Sequence, residues 1–176
     1  MMRLMGLSGW SGAGKTTLIA ALIPELRRRG LTVSTVKHAH HAFDVDKPGK
    51  DSYIHRESGA QEVLVSSAHR FALMHELRGA PEPPLAELLK RLSPVDLVIV
   101  EGFKRDPHPK IEIHRVAVDK AFIHPDDPYI RAIATDAPGP FPVPRFDLDD
   151  IAAIADWVIR EAVPIDQEIA ASGSRP

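Results

Sequence analysis

An α/β fold, with a doubly wound and mostly parallel sheet carrying helices on both faces, is predicted by three observations on this 176-residue chain. Short apolar runs alternate with stretches of helical periodicity, the pattern of successive βα units. Several runs, "DLVIVEG" among them, are continuously apolar, as strands covered on both faces must be. The glycine-rich segment "GWSGAGKT" lies between the first run and the first helical stretch, in the strand-loop-helix order of a phosphate-binding α/β fold. The length fits one such domain over residues 1–162, with a polar tail over 163–176 expected to be partly disordered.

Strands are predicted at 3–8, 32–37, 62–67, 71–77, 96–102, 110–115 and 130–136. The first helix, "KTTLIAALIPELRRRG", places Leu18, Ile19, Leu22, Ile23 and Leu26 on one face. Its three arginines meet the negative end of the helix dipole and Gly30 ends it, while Pro24 removes one backbone bond and predicts a kink. A weaker helix follows over 51–60, a better one over 84–92, and the last over 147–162 with Asp147 as its cap. Residues 78–84 and 136–146 are rich in proline and read as connectors.

Composition narrows the chemistry. A net charge of −2 with interspersed signs gives no global field for nucleic acid or an anionic membrane, so any phosphate binding must be local. The absence of cysteine excludes disulfides, thiolate ligands and cysteine nucleophiles. No apolar run has the length of a signal peptide or a membrane span, so the expectation is a soluble, cytoplasmic protein.

Gly9 to Thr16 match G-x-x-x-x-G-K-[ST] in full. Gly9, Trp10, Ser11, Gly12, Ala13 and Gly14 are expected to wrap backbone N–H groups around an anion at the helix N-terminus. Lys15 is expected to reach the β- and γ-phosphates, Thr16 to ligate Mg²⁺, and Thr17 to contact the α-phosphate. In "DLVIVEG", Asp96 begins the strand and Glu101 ends it, roughly 16 Å away at about 3.3 Å per residue. Ligands sit beyond the carboxyl ends of such strands, so Glu101 is the expected metal or water-positioning carboxylate.

The segment "KHAHHAFDVDKPGKDS", residues 37–52, carries three histidines and three aspartates directly after the second strand. That position favours a switch-like wall beside the phosphates, with Asp44, Asp46 or Asp51 holding Mg²⁺ or its water. His38, His40 and His41 suit zinc or nickel if they bind metal. Elsewhere, "ATD" at 134–136 ends a strand at the ligand edge, so Thr135 and Asp136 are candidates for reading a base, against a plain strand-to-turn aspartate. In "KIEIHR", Ile111, Ile113 and Arg115 share one face, and Glu112 and His114 read as a surface strand on the other. "FKRDPHPK" supplies basic residues to a loop that reads either as an anion site or as solvated surface.

The combination of "GLSGWSGAGKTTL", "VKHAHHAFDVDKPGKDSYIHRESGA" and "DLVIVEGFK" resembles the molybdopterin-guanine dinucleotide biosynthesis protein B (MobB) family, from about Gly6 to Lys110 and more loosely to Asp136. The resemblance implies a GTP-binding, weakly GTP-hydrolysing adapter, usually homodimeric. Such an adapter assists a MobA-like nucleotidyltransferase in attaching GMP to molybdopterin and passes the cofactor on. It further implies that Gly12 to Thr17 hold GTP phosphates and that Thr16 and Glu101 serve Mg²⁺. Lys37, His38, Asp46 and Asp51 would form a switch-like wall, Lys104 would be a basic residue near the nucleotide or the pterin phosphate, and Trp10 would be a ring for a partner contact or one packed on the helix. No arginine finger and no placed glutamine is evident, which fits slow hydrolysis. Two rival readings are a GTPase metallochaperone for nickel, disfavoured by the missing cysteine, and an ATP-dependent small-molecule kinase or ligase, which would need a lid with arginines.

Overall fold

The computed structural model describes residues 1–39 and 43–166. Its contacts divide the chain into two compact units, Met1–His38 with the chain from Leu85 onward, and Ala39–Pro84. The first unit is built on a sheet of β1 (Arg3–Ser8), β2 (Val33–Lys37), β5 (Leu97–Glu101), β6 (Lys110–His114), β7 (Ile130–Thr135) and β8 (Arg145–Phe146), in the order β2-β5-β1-β6-β7-β8. Every pair along that order is parallel. A two-residue strand, β9 (Val163–Pro164), pairs antiparallel with the start of β1.

Alternation along the strands divides the core into two layers. Met5, Leu7, Leu97, Ile99, Ile111 and Ile113 face helices α1 (Lys15–Arg28) and α4 (Ile151–Glu161), meeting Leu18, Leu22, Leu26, Ile154 and Trp157. Leu4, Val98 and Val100 point the other way, to Leu85 and Leu89 of α3 (Leu85–Leu89). Helix α1 runs on through Pro24. It ends where Gly30, at φ 85°, lets its N–H reach the Arg27 carbonyl and that of Leu31 reach Leu26, a Schellman closure. Arg29 then reaches Asp156 and the Ala152 carbonyl, tying α1 to α4.

Two strands predicted for the sheet are not in it. β3 (Glu62–Ser66) and β4 (Phe71–His75) pair only with each other, antiparallel, in the second unit. There α2 (Asp51–Glu57) supplies Arg56, whose guanidinium gathers Asp44 at 2.8 Å and Asp46 at 3.1 Å. One face of the hairpin exposes Leu64, Phe71 and Leu73.

Other expectations change in detail. The cap of α4 is Asp150, which accepts from the Ala153 N–H, and Asp147 instead pairs with Arg145 at 2.7 Å. β6 is buried along its whole length, so Glu112 and His114 are interior residues. The Glu112 carboxylate accepts from the backbone N–H groups of Ile123 and His124. Asp96 accepts from the Thr32 N–H and hydroxyl, clasping the starts of β2 and β5. Lys110 is also buried, donating to Asp127 at 3.0 Å and to the Asp106 carbonyl at 2.7 Å. Among the described residues no helix is long and apolar enough to cross a membrane.

Two predictions follow from this interior. Lys110→Ala strands the largely buried Asp127 carboxylate and is expected to lower unfolding free energy by about 3–5 kcal/mol, read from urea denaturation. His108 is buried against Gly6 with its Nδ1 unpartnered, and burial, then the Lys110 ammonium, lowers its pKa from 6.5 to about 4. The unfolded chain therefore takes up a proton that the fold refuses, so stability falls as pH drops from 6.5 towards about 4. The slope approaches about 1.4 kcal/mol per pH unit. His108→Gln is expected to remove that part of the slope, measured as urea midpoints down the same pH range.

Candidate functional site

β1, β2 and β5 run parallel, so Ser8, Lys37 and Glu101 end at one edge of the sheet. There the chain turns through Gly9 to Gly14 into α1. Gly9 has φ 148°, and a Cβ on it would lie 2.4 Å from the Ile113 carbonyl oxygen. No other residue fits so close to the neighbouring strand. Gly12 and Gly14, at φ 82° and 98°, complete the turn, and the Ala13 N–H folds back on the Trp10 carbonyl at 3.2 Å. Leu18 makes the first helical bond, to Gly14. The N–H groups before it face out of the helix start, where an anion would receive both their hydrogen bonds and the positive end of the dipole.

The Lys15 ammonium donates to the carbonyls of Gly9 and Trp10, both at 2.9 Å. Burial lowers its pKa, as do the Lys104 and Lys37 charges, while Glu101 opposes the shift. Lys37 lies 3.6 Å from Glu101, and Lys104 stands 4.9 Å over the Trp10 ring. Lys15 thus has two cations and one carboxylate acting on it, a local excess of positive charge in a chain of negative net charge. The ring of Trp10 is held by its indole N–H, which donates to the Ala121 carbonyl at 2.8 Å, and is 39% exposed. The end of β2 is fixed by the His38 N–H on the Glu101 carbonyl at 2.8 Å, with the His38 ring 5.2 Å from Phe103. Gly102, at φ 109°, would place a Cβ 2.7 Å from that of His38, so a side chain there would push β2 away from the site.

The sequence candidates therefore separate. Gly9 to Thr17, Lys37, His38, Glu101 and Lys104 belong to the first unit, with Thr16 and Thr17 exposed at the helix start. Asp46 and Asp51 belong to the second. There the Asp46 carboxylate is buried against Arg56, and Asp51 opens α2. His40 and His41 lie outside the described residues. Among the described residues no group of three or more histidines or carboxylates is arranged to hold a metal ion. Thr135 is fully buried, its hydroxyl accepting from the Ala137 N–H and lying 3.2 Å from His114 Nδ1. Asp136 is exposed and accepts from the Val116 N–H at 2.8 Å.

Sequence reasoning missed Arg115. It is the first residue past β6, and its Nε comes within 3.1 Å of where a Cβ on Gly14 would stand. The signal was present, since Arg115 shares a face with Ile111 and Ile113, and those two pack in the α1 layer.

Comparisons with known proteins agree with this geometry. Residues 4–136 match the family model "Molybdopterin guanine dinucleotide synthesis protein B". A molybdopterin-guanine dinucleotide biosynthesis adapter protein of Escherichia coli (strain K12) is 42% identical over 165 residues, covering 90% of this chain and 93% of that protein. One of the same description from Haemophilus influenzae is 41% identical over 158 residues, covering 88% and 86%. A crystal structure of molybdopterin-guanine biosynthesis protein B superposes with a TM-score of 0.69 at 27% identity, covering 89% of this chain and 98% of that one. A MobB homolog from Bacillus stearothermophilus gives 0.65 at 26%, covering 93% and 98%. With the phosphate-loop architecture and these matches together, the chain belongs to the molybdopterin guanine dinucleotide synthesis protein B family.

Proposed function

We propose that the protein is a GTP-binding adapter with weak GTPase activity, acting in the cytoplasm as a homodimer. Its role would be to assist a MobA-like nucleotidyltransferase in making and delivering molybdopterin guanine dinucleotide. The observation that carries this reading is the complete phosphate loop with Lys15 over it and Glu101 at the adjoining strand end. The adapter role itself rests on the relatives' description.

The residues fit a triphosphate with magnesium by the chemistry of their donors. Thr16 and Glu101 offer the hard oxygens that Mg²⁺ takes. When bound, the ion would offset charge between neighbouring phosphates. Lys15 would move its ammonium from the loop carbonyls to the β- and γ-phosphates. Lys37 and Lys104 add cations for the nucleotide or the phosphate of a pterin, and His38 lines the same edge. Weak hydrolysis accords with the glutamines: Gln61 belongs to the second unit, where its amide donates to the Glu76 carbonyl, so it is held by the hairpin. The exposed Leu64, Phe71 and Leu73 favour self-association through the hairpin, since an apolar face of two strands gains most by covering itself.

Lys15→Ala is expected to weaken GTP by about ten- to a hundredfold, from lost charge-assisted hydrogen bonds. Glu101→Gln should reduce the gain in affinity that Mg²⁺ brings while sparing Mg²⁺-free binding. Calorimetric titration of GTP with and without Mg²⁺ checks both, and an unchanged affinity in Lys15→Ala would remove the phosphate-loop assignment. Leu64→Asp with Leu73→Asp is expected to halve the mass measured by light scattering, and a dimer that persists would place the interface elsewhere.

A further inference from the structure

The phosphate loop has two sides. On the β5 side stand Glu101, Lys37 and Lys104, where the terminal phosphates and their metal belong on the reading above. A bound nucleotide must then run its other end across β6, β7 and β8, which continue the sheet beyond β1. A cleft of about 150 Å³ opens on that side, lined by Gly14, Thr17, Arg115, Leu148 and Asp149 over an apolar floor that includes Leu18.

Among the described residues, two polar groups at this cleft have no partner. Arg115 makes no hydrogen bond or ion pair among the described residues, yet its guanidinium lies over Gly14, at the positive end of α1. Like potentials held together in that way call for an anion or an electron-rich ring between them. Asp149 is the second. Of the three acids in the turn before α4, Asp147 pairs with Arg145 and Asp150 caps the helix, whereas the Asp149 carboxylate is exposed and unpaired. A flat ring with an apolar face and a polar edge suits such a cleft. Guanine presents two adjacent donors, N1–H and the 2-amino group, which one carboxylate accepts together. Adenine offers a lone pair at the same ring position and is repelled.

We infer that this cleft is the nucleobase subsite, with Arg115 lying against the ring or the α-phosphate and Asp149 as the residue that selects guanine. The inference rests on the proposed triphosphate site and deepens it. Asp136 is less suited, because one of its oxygens is taken by the Val116 N–H, and the Thr135 hydroxyl is sealed in the core.

The test is calorimetric titration of the full chain with GTP, ATP and XTP, using the wild type, Asp149→Asn, Asp136→Asn and Arg115→Ala. Xanthine carries a carbonyl where guanine carries its 2-amino group, so an asparagine amide can donate to it. Asp149→Asn should weaken GTP by about ten- to a hundredfold and strengthen XTP, leaving ATP unchanged. Arg115→Ala should weaken all three by a common factor and keep their ratios. If Asp149→Asn retains the wild-type preference, or if Asp136→Asn rather than Asp149→Asn inverts it, the inference falls while triphosphate binding stands. Equal affinity of the wild type for GTP and ATP removes guanine selection altogether. Failure of the triphosphate reading is separate and shows in Lys15→Ala. Because Asp149 is exposed and unpaired, its variant should melt as the wild type does, which circular dichroism verifies.

Discussion

The position of β1 between β5 and β6 is the constraint on which the site depends. Both neighbours are parallel to it, so three chain ends are delivered to one edge, and turns there must leave the sheet without colliding. Glycine solves the collision twice: Gly9 passes beneath the Ile113 carbonyl, and Gly102 clears His38. The loop's anion-holding shape and the placing of Glu101 therefore follow from the same strand pairing that buries Leu4, Met5 and Leu7. A residue with a side chain at Gly9 would force a choice between the loop and the sheet.

Electrostatics at this edge runs against the chain as a whole. The net charge is −2, yet Lys37, Lys104 and Glu101 all act on the Lys15 ammonium, two cations against one carboxylate. The mutual repulsion of the lysines is tolerated because each has a local partner: loop carbonyls for Lys15, the carboxylate for Lys37, and the Trp10 ring for Lys104. These partners are exchangeable ones. An arriving polyanion can take over the same cations without leaving a buried charge unpaired, which favours reversible binding.

Much of this was legible in the sequence because it rests on local rules. The eight-residue loop, the apolar runs and the direction of "DLVIVEG" were enough to put Lys15 and Thr16 at the start of a helix and Glu101 at the end of a strand. What failed depended on distant packing. Glu112 and His114 have the polar alternation of a surface strand, but β7 and the segment carrying Ile123 and His124 cover them. The runs at 62–67 and 71–77 have strand character without any mark of which sheet they join, and the short turn between them closes a hairpin instead. Asp147, Asp149 and Asp150 are equal as caps on composition. Only the backbone decides that Asp150 takes the role, since its side chain reaches Ala153. Arg115 was overlooked because it belongs to no motif, and its place on the face of Ile111 and Ile113 was the one signal of it.

The division into two units has a bearing on how the chain is made. β1 emerges first during synthesis, but Arg3 has no parallel neighbour until Leu97 is added. The β3–β4 hairpin pairs Ser66 with Phe71 and meets its partner almost at once. Closures so unequal in span differ greatly in rate. The hairpin unit is thus expected to be the early-forming piece. While the chain grows from Leu73 to Leu97 it would carry the exposed Leu64 and Leu73 before the phosphate loop has a sheet to rest on, a period in which a neighbouring nascent chain or a chaperone could meet that face first.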